Sequence, residues 1–202
     1  MEMLDITPVN WTSPDSIIKV IGVGGGGCNA VNYMYKQNIE GCTFIVCNTD
    51  AQALNKCEVP IKIQLGEGLG AGTNPTEGRN AALNSQDDIA EKVLDDKTEM
   101  LFITAGMGGG TGTGAAPVIA AMAKKKGILT VGVVTIPFRN QGPEAMSKAL
   151  DGISELEKNV DSLLIIDNEK LFGVYGDLLI QQAFPKADEV LATAVRGITE
   201  II

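Results

Sequence analysis

"AGMGGGTGTGAAP", Ala105–Pro117, decides how this chain reads. Six of its thirteen residues are glycine and none is charged, so the backbone itself is the chemical group on offer. The apolar run "MLFITA" (Met100–Ala105) precedes it, and "AAPVIAAMAKKKG" follows with helical composition. The order is therefore strand, glycines, helix. Successive N–H groups in such a turn can wrap an anion, and the helix N-terminus adds unpaired donors and a positive dipole end. Thr111 and Thr113 add hydroxyls without bulk. A P-loop would carry Gly-Lys-Ser/Thr at its end, and no lysine follows these glycines.

A second loop has the same build. In "GVGGGGCNAV" (Gly22–Val31), Gly22, Gly24 and Gly27 satisfy G-x-G-x-x-G between the apolar run "SIIKVIGV" and the helical "NAVNYMYKQ". That pattern favours phosphate binding at a strand-to-helix turn. Asp50 follows at roughly the distance where a dinucleotide-binding fold keeps its ribose acid. An NAD(P)-binding Rossmann enzyme is therefore one reading. The density of the second glycine loop opposes it.

Outward from the loops, "TFIVCN" (Thr43–Asn48), "IKIQL" (Ile61–Leu65), "ILTVGVVTIPF" and "SLLIID" (Ser162–Asp167) read as further strands. Two polar helices are expected between Pro75 and Leu94, and one along the period Met146, Leu150, Ile153, Leu156, Val160. Pro117 suits the first turn of the helix after the second loop, and Lys124–Lys126 with Gly127 suit its end. A last helix is expected from Ala187 to Ile202, and residues 1–15, with Trp11, read as a tail. Helices alternate with uninterrupted apolar strands, which predicts an α/β fold with a parallel, Rossmann-like sheet and helices on both faces. Ligands of such sheets bind at the carboxyl ends of the strands, where the glycine loops lie.

The bulk numbers agree. A length of 202 residues suits one domain, read as residues 16–202. A net charge of −9 disfavours nucleic-acid or anionic-membrane binding. No run is long enough to span a membrane, and no signal peptide is visible at the N-terminus. Cys28, Cys42, Cys47 and Cys57 form no C-x-x-C pair and read as free thiols in a cytoplasmic protein, Cys42 and Cys47 on opposite faces of a strand. Histidine is absent, and no metal-ligand set is expected.

"GGGTGTG" (Gly108–Gly114), with "GVGGGGCNAV", "NTDAQAL" (Asn48–Leu54) and "GLGAGTNP" (Gly68–Pro75), closely resembles the tubulin/FtsZ family of GTPases over Ser16–Ile202. The resemblance implies GTP/GDP binding, with Mg²⁺ held mainly by phosphates and water. It implies phosphate contacts from Gly24, Gly25, Gly26, Cys28 and Asn29 and from Gly106, Gly108, Gly109, Gly110, Thr111, Gly112, Thr113 and Gly114. Asn48 would also contact the nucleotide, Ala51, Gly70, Ala71 and Gly72 would lie toward the γ-phosphate, and Pro137 and Gln141 toward the ribose. Asn168, Phe184 and Asp188 would take the guanine base. A carboxylate can accept from guanine N1–H and N2–H₂, a pattern adenine lacks.

The resemblance further implies septal-ring assembly at mid-cell, self-association into filaments and contacts with cell-division proteins. Hydrolysis in the family uses an acidic loop from the next subunit, and no such loop is found in these residues. The expectation is therefore a nucleotide-binding domain without its C-terminal domain, with no catalytic residue of its own and near-background hydrolysis alone. A non-catalytic filament-capping homologue is the alternative. The family's usual Arg, Glu and Arg around "PF" are Ile136, Gln141 and Ala145 here, which implies weaker nucleotide binding, with Arg139 the nearest replacement charge.

Overall fold

The computed structural model describes residues 16–170, 186, 188–190, 192, 193 and 195–197. Phe184, Trp11 and much of the expected last helix lie outside them; the described residues from 186 onward are helical. Six parallel strands form one sheet in the order β3-β2-β1-β4-β5-β6. They are β1 (Ile18–Val23), β2 (Thr43–Asn48), β3 (Ile61–Gln64), β4 (Met100–Gly106), β5 (Leu129–Ile136) and β6 (Ser162–Asp167). The helices are α1 (Gly24–Lys36), α2 (Ala51–Lys56), α3 (Pro75–Asn84), α4 (Gln86–Lys92), α5 (Thr111–Lys125) and α6 (Pro143–Glu157), with one 3₁₀ turn at Arg139–Gln141.

β1, β2, β4 and β5 are almost continuously apolar because both faces of the sheet are covered there. Val20, Phe44, Val46, Phe102, Val131 and Val133 pack with Val31 and Met34 of α1 and Leu54 of α2. Their alternates Ile21, Ile45, Ile63, Ile103 and Val134 pack with Ala115 and Ile119 of α5 and Leu156 of α6. Cys42 and Cys47 fall in opposite layers, as a period of two requires. All four cysteines are buried free thiols.

Two helix starts differ from the reading of the sequence. α1 begins at Gly24 and α5 at Thr111, so residues that look like loop form first turns. Pro117 consequently lies inside α5, in its second turn. Its missing N–H leaves out one bond, to the Thr113 carbonyl four residues back. α2 is an element the apolar pattern does not announce, being only six residues long. Its N-cap is Asp50, whose carboxylate accepts from the N–H groups of Gln52 (2.8 Å) and Ala53 (3.0 Å). The acid that suggested a dinucleotide ribose thus has a local structural task.

At the opposite end of the sheet Lys19 is 3% exposed, its Nζ 2.8 Å from Asp95 Oδ2 and 3.0 Å from the Lys92 carbonyl. Removing one partner of a buried charge strands the other. Asp95 is itself over a third exposed, so solvent reduces the loss. Asp95→Ala should cost about 1–3 kcal/mol, and Lys19→Met, which removes the buried charge, less. Urea denaturation of both variants checks the order, and a more stable Asp95→Ala variant would refute it.

Candidate functional site

Strand register builds the site. Val23 lies opposite Ala105, Gly106 opposite Thr135, and Ile136 opposite Asp167. The residues that follow these strands therefore line up on one rim: Gly24, Met107, Pro137 and Asn168. The sheet order reverses between β1 and β4, which is where doubly wound sheets open a crevice.

Both helices that start at this crevice have bare N-termini. α1 and α5 have no side-chain cap bond and no acidic residue in the first turn. Their neighbours are finished differently: Asp50 caps α2, and Asn74 caps α3 through the Thr76 N–H at 3.0 Å. The first N–H groups of an α-helix have no partner within it. Two uncapped ends side by side present unpaired N–H donors on one side of the crevice.

The glycines divide into two kinds. Gly24 has φ +70°, and a Cβ there would stand 2.8 Å from the Gly112 nitrogen. A Cβ on Gly112 would stand 2.5 Å from the Gly106 carbonyl. Gly24 thus lets the two loops touch, and Gly112 lets the second loop close on its own start. A Cβ on Gly25 or Gly109 would meet nothing within 4 Å, and both residues are exposed. That open space is what an anion on the two helix ends would fill.

Beside it runs a cleft of about 220 Å³ lined by Gly26, Asn29, Gly106, Met107, Gly109, Thr135, Pro137, Gln141, Asn168 and Asp188. Eight of these ten residues were expected from the sequence; Met107 and Thr135 were not. Asn168 is 6% exposed, and its Oδ1 is buried with no hydrogen-bond partner. A buried unpaired acceptor is costly unless a ligand supplies a donor. Burial pushes the Asp188 carboxyl up to about 7. Gln141 Oε1 accepts from the Phe138 N–H (3.0 Å), which leaves its amide hydrogens for a ligand.

Other expected residues frame the site without presenting their side chains to the cleft. Cys28 is buried, with Sγ directed at the Cys47 carbonyl (3.4 Å). Thr113 is 3% exposed and its Oγ1 accepts from the Gly108 N–H (2.9 Å), so it braces the second loop from within. Asn48 Oδ1 accepts from the Asp50 N–H (3.2 Å), holding the turn after β2. Ala51 opens α2, with its N–H on the Gly68 carbonyl (3.1 Å). Gly70 donates to the Thr49 carbonyl (2.8 Å), Ala71 accepts from the Asn74 N–H, and Gly72 has φ +53°. Gly110 and Gly114 lie where α5 meets the segment Ala71–Arg79. Ala145 approaches Gly108 through its carbonyl. Among the described residues no group of three His, Cys, Asp or Glu side chains could hold a metal ion, and no helix is long and apolar enough to cross a membrane.

Residues 17–176 match the model of the Tubulin/FtsZ family, GTPase domain. The chain is 54% identical over 203 residues to the cell division protein FtsZ of Porphyromonas gingivalis, covering 96% of this chain and 44% of that protein. It is 55% identical over 206 residues to the FtsZ of Pseudomonas putida, covering 100% and 50%. The chain thus spans about half the length of the curated relatives it matches. Among solved structures, an empty FtsZ dimer of M. jannaschii superposes with a TM-score of 0.87 at 44% identity, over 92% of this chain and 55% of that one.

Proposed function

Because the chain belongs to the Tubulin/FtsZ family of GTPases, we propose that it binds GTP and GDP in the crevice between the two glycine loops, as the nucleotide-binding part of a filament-forming cell-division GTPase. The observation that carries this reading is the pair of uncapped helix ends beside a cleft whose far wall holds an unpaired, buried Asn168 oxygen. The phosphates lie over Gly25 and Gly109, where the backbone leaves space for them. The base lies toward Asn168 and Asp188, which accept from its N–H groups. Gln141 donates to the ribose through its free amide.

Charge neutralisation at the transferred phosphoryl group would come from a Mg²⁺ ion held by phosphate oxygens and water, since no metal-ligand group is present among the described residues. The protein has then to orient the attacking water. Asp188 is the only carboxylate among the described residues lining the cleft, and in this reading the base engages it. The resemblance to the family implies that an acidic group from a neighbouring molecule orients this water, which would tie hydrolysis to self-association. The protein acts at the division site together with other cell-division proteins.

Calorimetric titration with GTP, GDP, ATP and NAD, with Mg²⁺ present, tests the reading. GTP and GDP should bind at least about 100-fold more tightly than ATP, the scale on which a site built for particular N–H groups rejects a base lacking them. GTP turnover by the isolated chain should stay near background. Equal binding of ATP, or preferential binding of NAD, would overturn the proposal.

A further inference from the structure

Cys28, Asn32 and Lys36 recur at helical spacing along α1 and share one face of it. That face meets the segment that ends α2. The Glu58 N–H donates to Asn32 Oδ1 (2.7 Å), and the Glu58 carboxylate pairs with Lys36 Nζ (2.7 Å). One turn earlier on the helix, the thiols of Cys28 and Cys57 share a hydrogen bond. Packing of α1 on this segment thus sets two sulfurs side by side that are far apart in sequence.

The sheet keeps the other two cysteines away from this pair. The Cys47 carbonyl accepts from the Cys28 S–H (3.4 Å), but the Cys47 side chain belongs to the layer on the opposite face. Cys42 shares the layer of Cys28 and Cys57, yet it precedes β2, roughly 16 Å along the strand from Cys47. The two paired thiols also differ in kind. Cys57 is the C-cap of α2 and 8% exposed, whereas Cys28 is 2% exposed. The hydrogen bond from Cys28, and then the Lys62 ammonium, hold the Cys57 thiol below the usual thiol range against the effect of burial. Lys62 is fixed there by the Cys57 carbonyl, 2.6 Å from its Nζ. The same thiol–thiol bond and burial push Cys28 up. A more exposed thiolate next to a buried thiol is the arrangement of an attacking and a resolving cysteine.

We propose that Cys28 and Cys57 form a reversible disulfide when the chain meets a peroxide. The Cys57 thiolate attacks one oxygen of hydrogen peroxide and the O–O bond breaks. Cys57 becomes a sulfenic acid, and the departing hydroxide takes up the proton that Cys57 released. The Cys28 sulfur then attacks the Cys57 sulfur, so that the S–S bond forms and the S–O bond breaks. The hydroxyl leaves as water with the Cys28 proton. Two thiols lose two electrons and two protons, and one peroxide becomes two waters. A dithiol reverses the step by exchange. The bond ties α1, which carries the first glycine loop, to the end of α2. Neither sulfur lines the cleft, so the pairing stands whether or not a nucleotide binds there.

Hydrogen peroxide added in small molar excess to the folded, reduced chain tests this. Remaining thiols are alkylated under denaturing conditions, and the peptides are mapped by mass spectrometry. Two of the four thiols should be lost, in a single Cys28–Cys57 linkage within one chain, while Cys42 and Cys47 are alkylated. Dithiothreitol should return all four. Cys28→Ala should stop at a Cys57 sulfenic acid that dimedone captures, and Cys57→Ala should form no disulfide within the chain. A different pairing, linkage between chains in place of the internal one, or survival of all four thiols would overturn the proposal. So would a Cys57→Ala chain in which Cys28 still forms an internal disulfide, or a Cys28→Ala chain whose Cys57 is not oxidised. If an alanine variant does not fold, the wild-type map decides alone.

Discussion

Gly25→Ala should leave the fold intact and abolish tight nucleotide binding, whereas Gly112→Ala should damage both. The contrast follows from what each new methyl would meet. At Gly25 there is no protein atom within 4 Å. Its φ is not positive, and it lies in the first turn of α1. Alanine should therefore change stability by less than about 1 kcal/mol. The methyl would, however, occupy the space above the helix end where the phosphates are proposed to sit. Nucleotide affinity should fall by roughly 100-fold or more, as donors lose contact with a charged ligand. At Gly112 the methyl would meet the Gly106 carbonyl at 2.5 Å, within the second glycine loop itself. Overpacking of that kind costs about 1–3 kcal/mol, and it would also move the N–H groups of α5. Thermal denaturation with and without GDP separates the two. A Gly25→Ala chain that binds like wild type would place the anion elsewhere.

Affinity for guanine nucleotides should rise with pH up to about 7 and then level off, because of Asp188. Burial raises its folded-state value from 3.8 to about 7. A raised carboxyl favours the folded chain below pH 3.8, and that contribution disappears as pH rises through about 7. The ligand-free chain therefore loses stability across this window. Guanine N–H donors need the ionised form, so binding below pH 7 expels a proton, and affinity should drop by up to about tenfold per pH unit. Asp188→Asn should remove that slope. It should also weaken GDP by about 100-fold at pH 8, since an amide presents N–H groups where the base presents its own. Titration at pH 5.5–8 decides the matter. A flat wild-type profile, or a slope that survives in Asp188→Asn, would show that this carboxylate does not face the base.

The strands were legible because both faces of a parallel sheet are buried, and every strand but the short β3 and the edge strand β6 is an almost continuous apolar run. Helix starts were not. Glycine is read as loop, while Gly24–Gly27 and Gly112 lie in first helical turns, where the close approach of Gly24 to Gly112 leaves no room for a side chain. The site was legible in its backbone and less so in its side chains. Membership of a motif gives proximity, not direction: Cys28 and Thr113 belong to the loops yet point into the protein. Met107 and Thr135 line the cleft, but a methionine among glycines and a threonine near a strand end carry no signal of that kind. The Cys28–Cys57 contact depends on α1 meeting the segment that ends α2, which no local pattern encodes.

The central position of β1 also matters for how the protein is made. β1, β2 and β3 can pair once residue 64 has left the ribosome, but the other edge of β1 waits for β4, which starts at residue 100. At ordinary rates of synthesis those 36 residues (64 to 100) take roughly 2–7 s. During that interval an apolar strand lies open along one side, able to join the same strand of another nascent chain. The cell has to shield a half-built sheet at the place where the finished protein keeps its crevice.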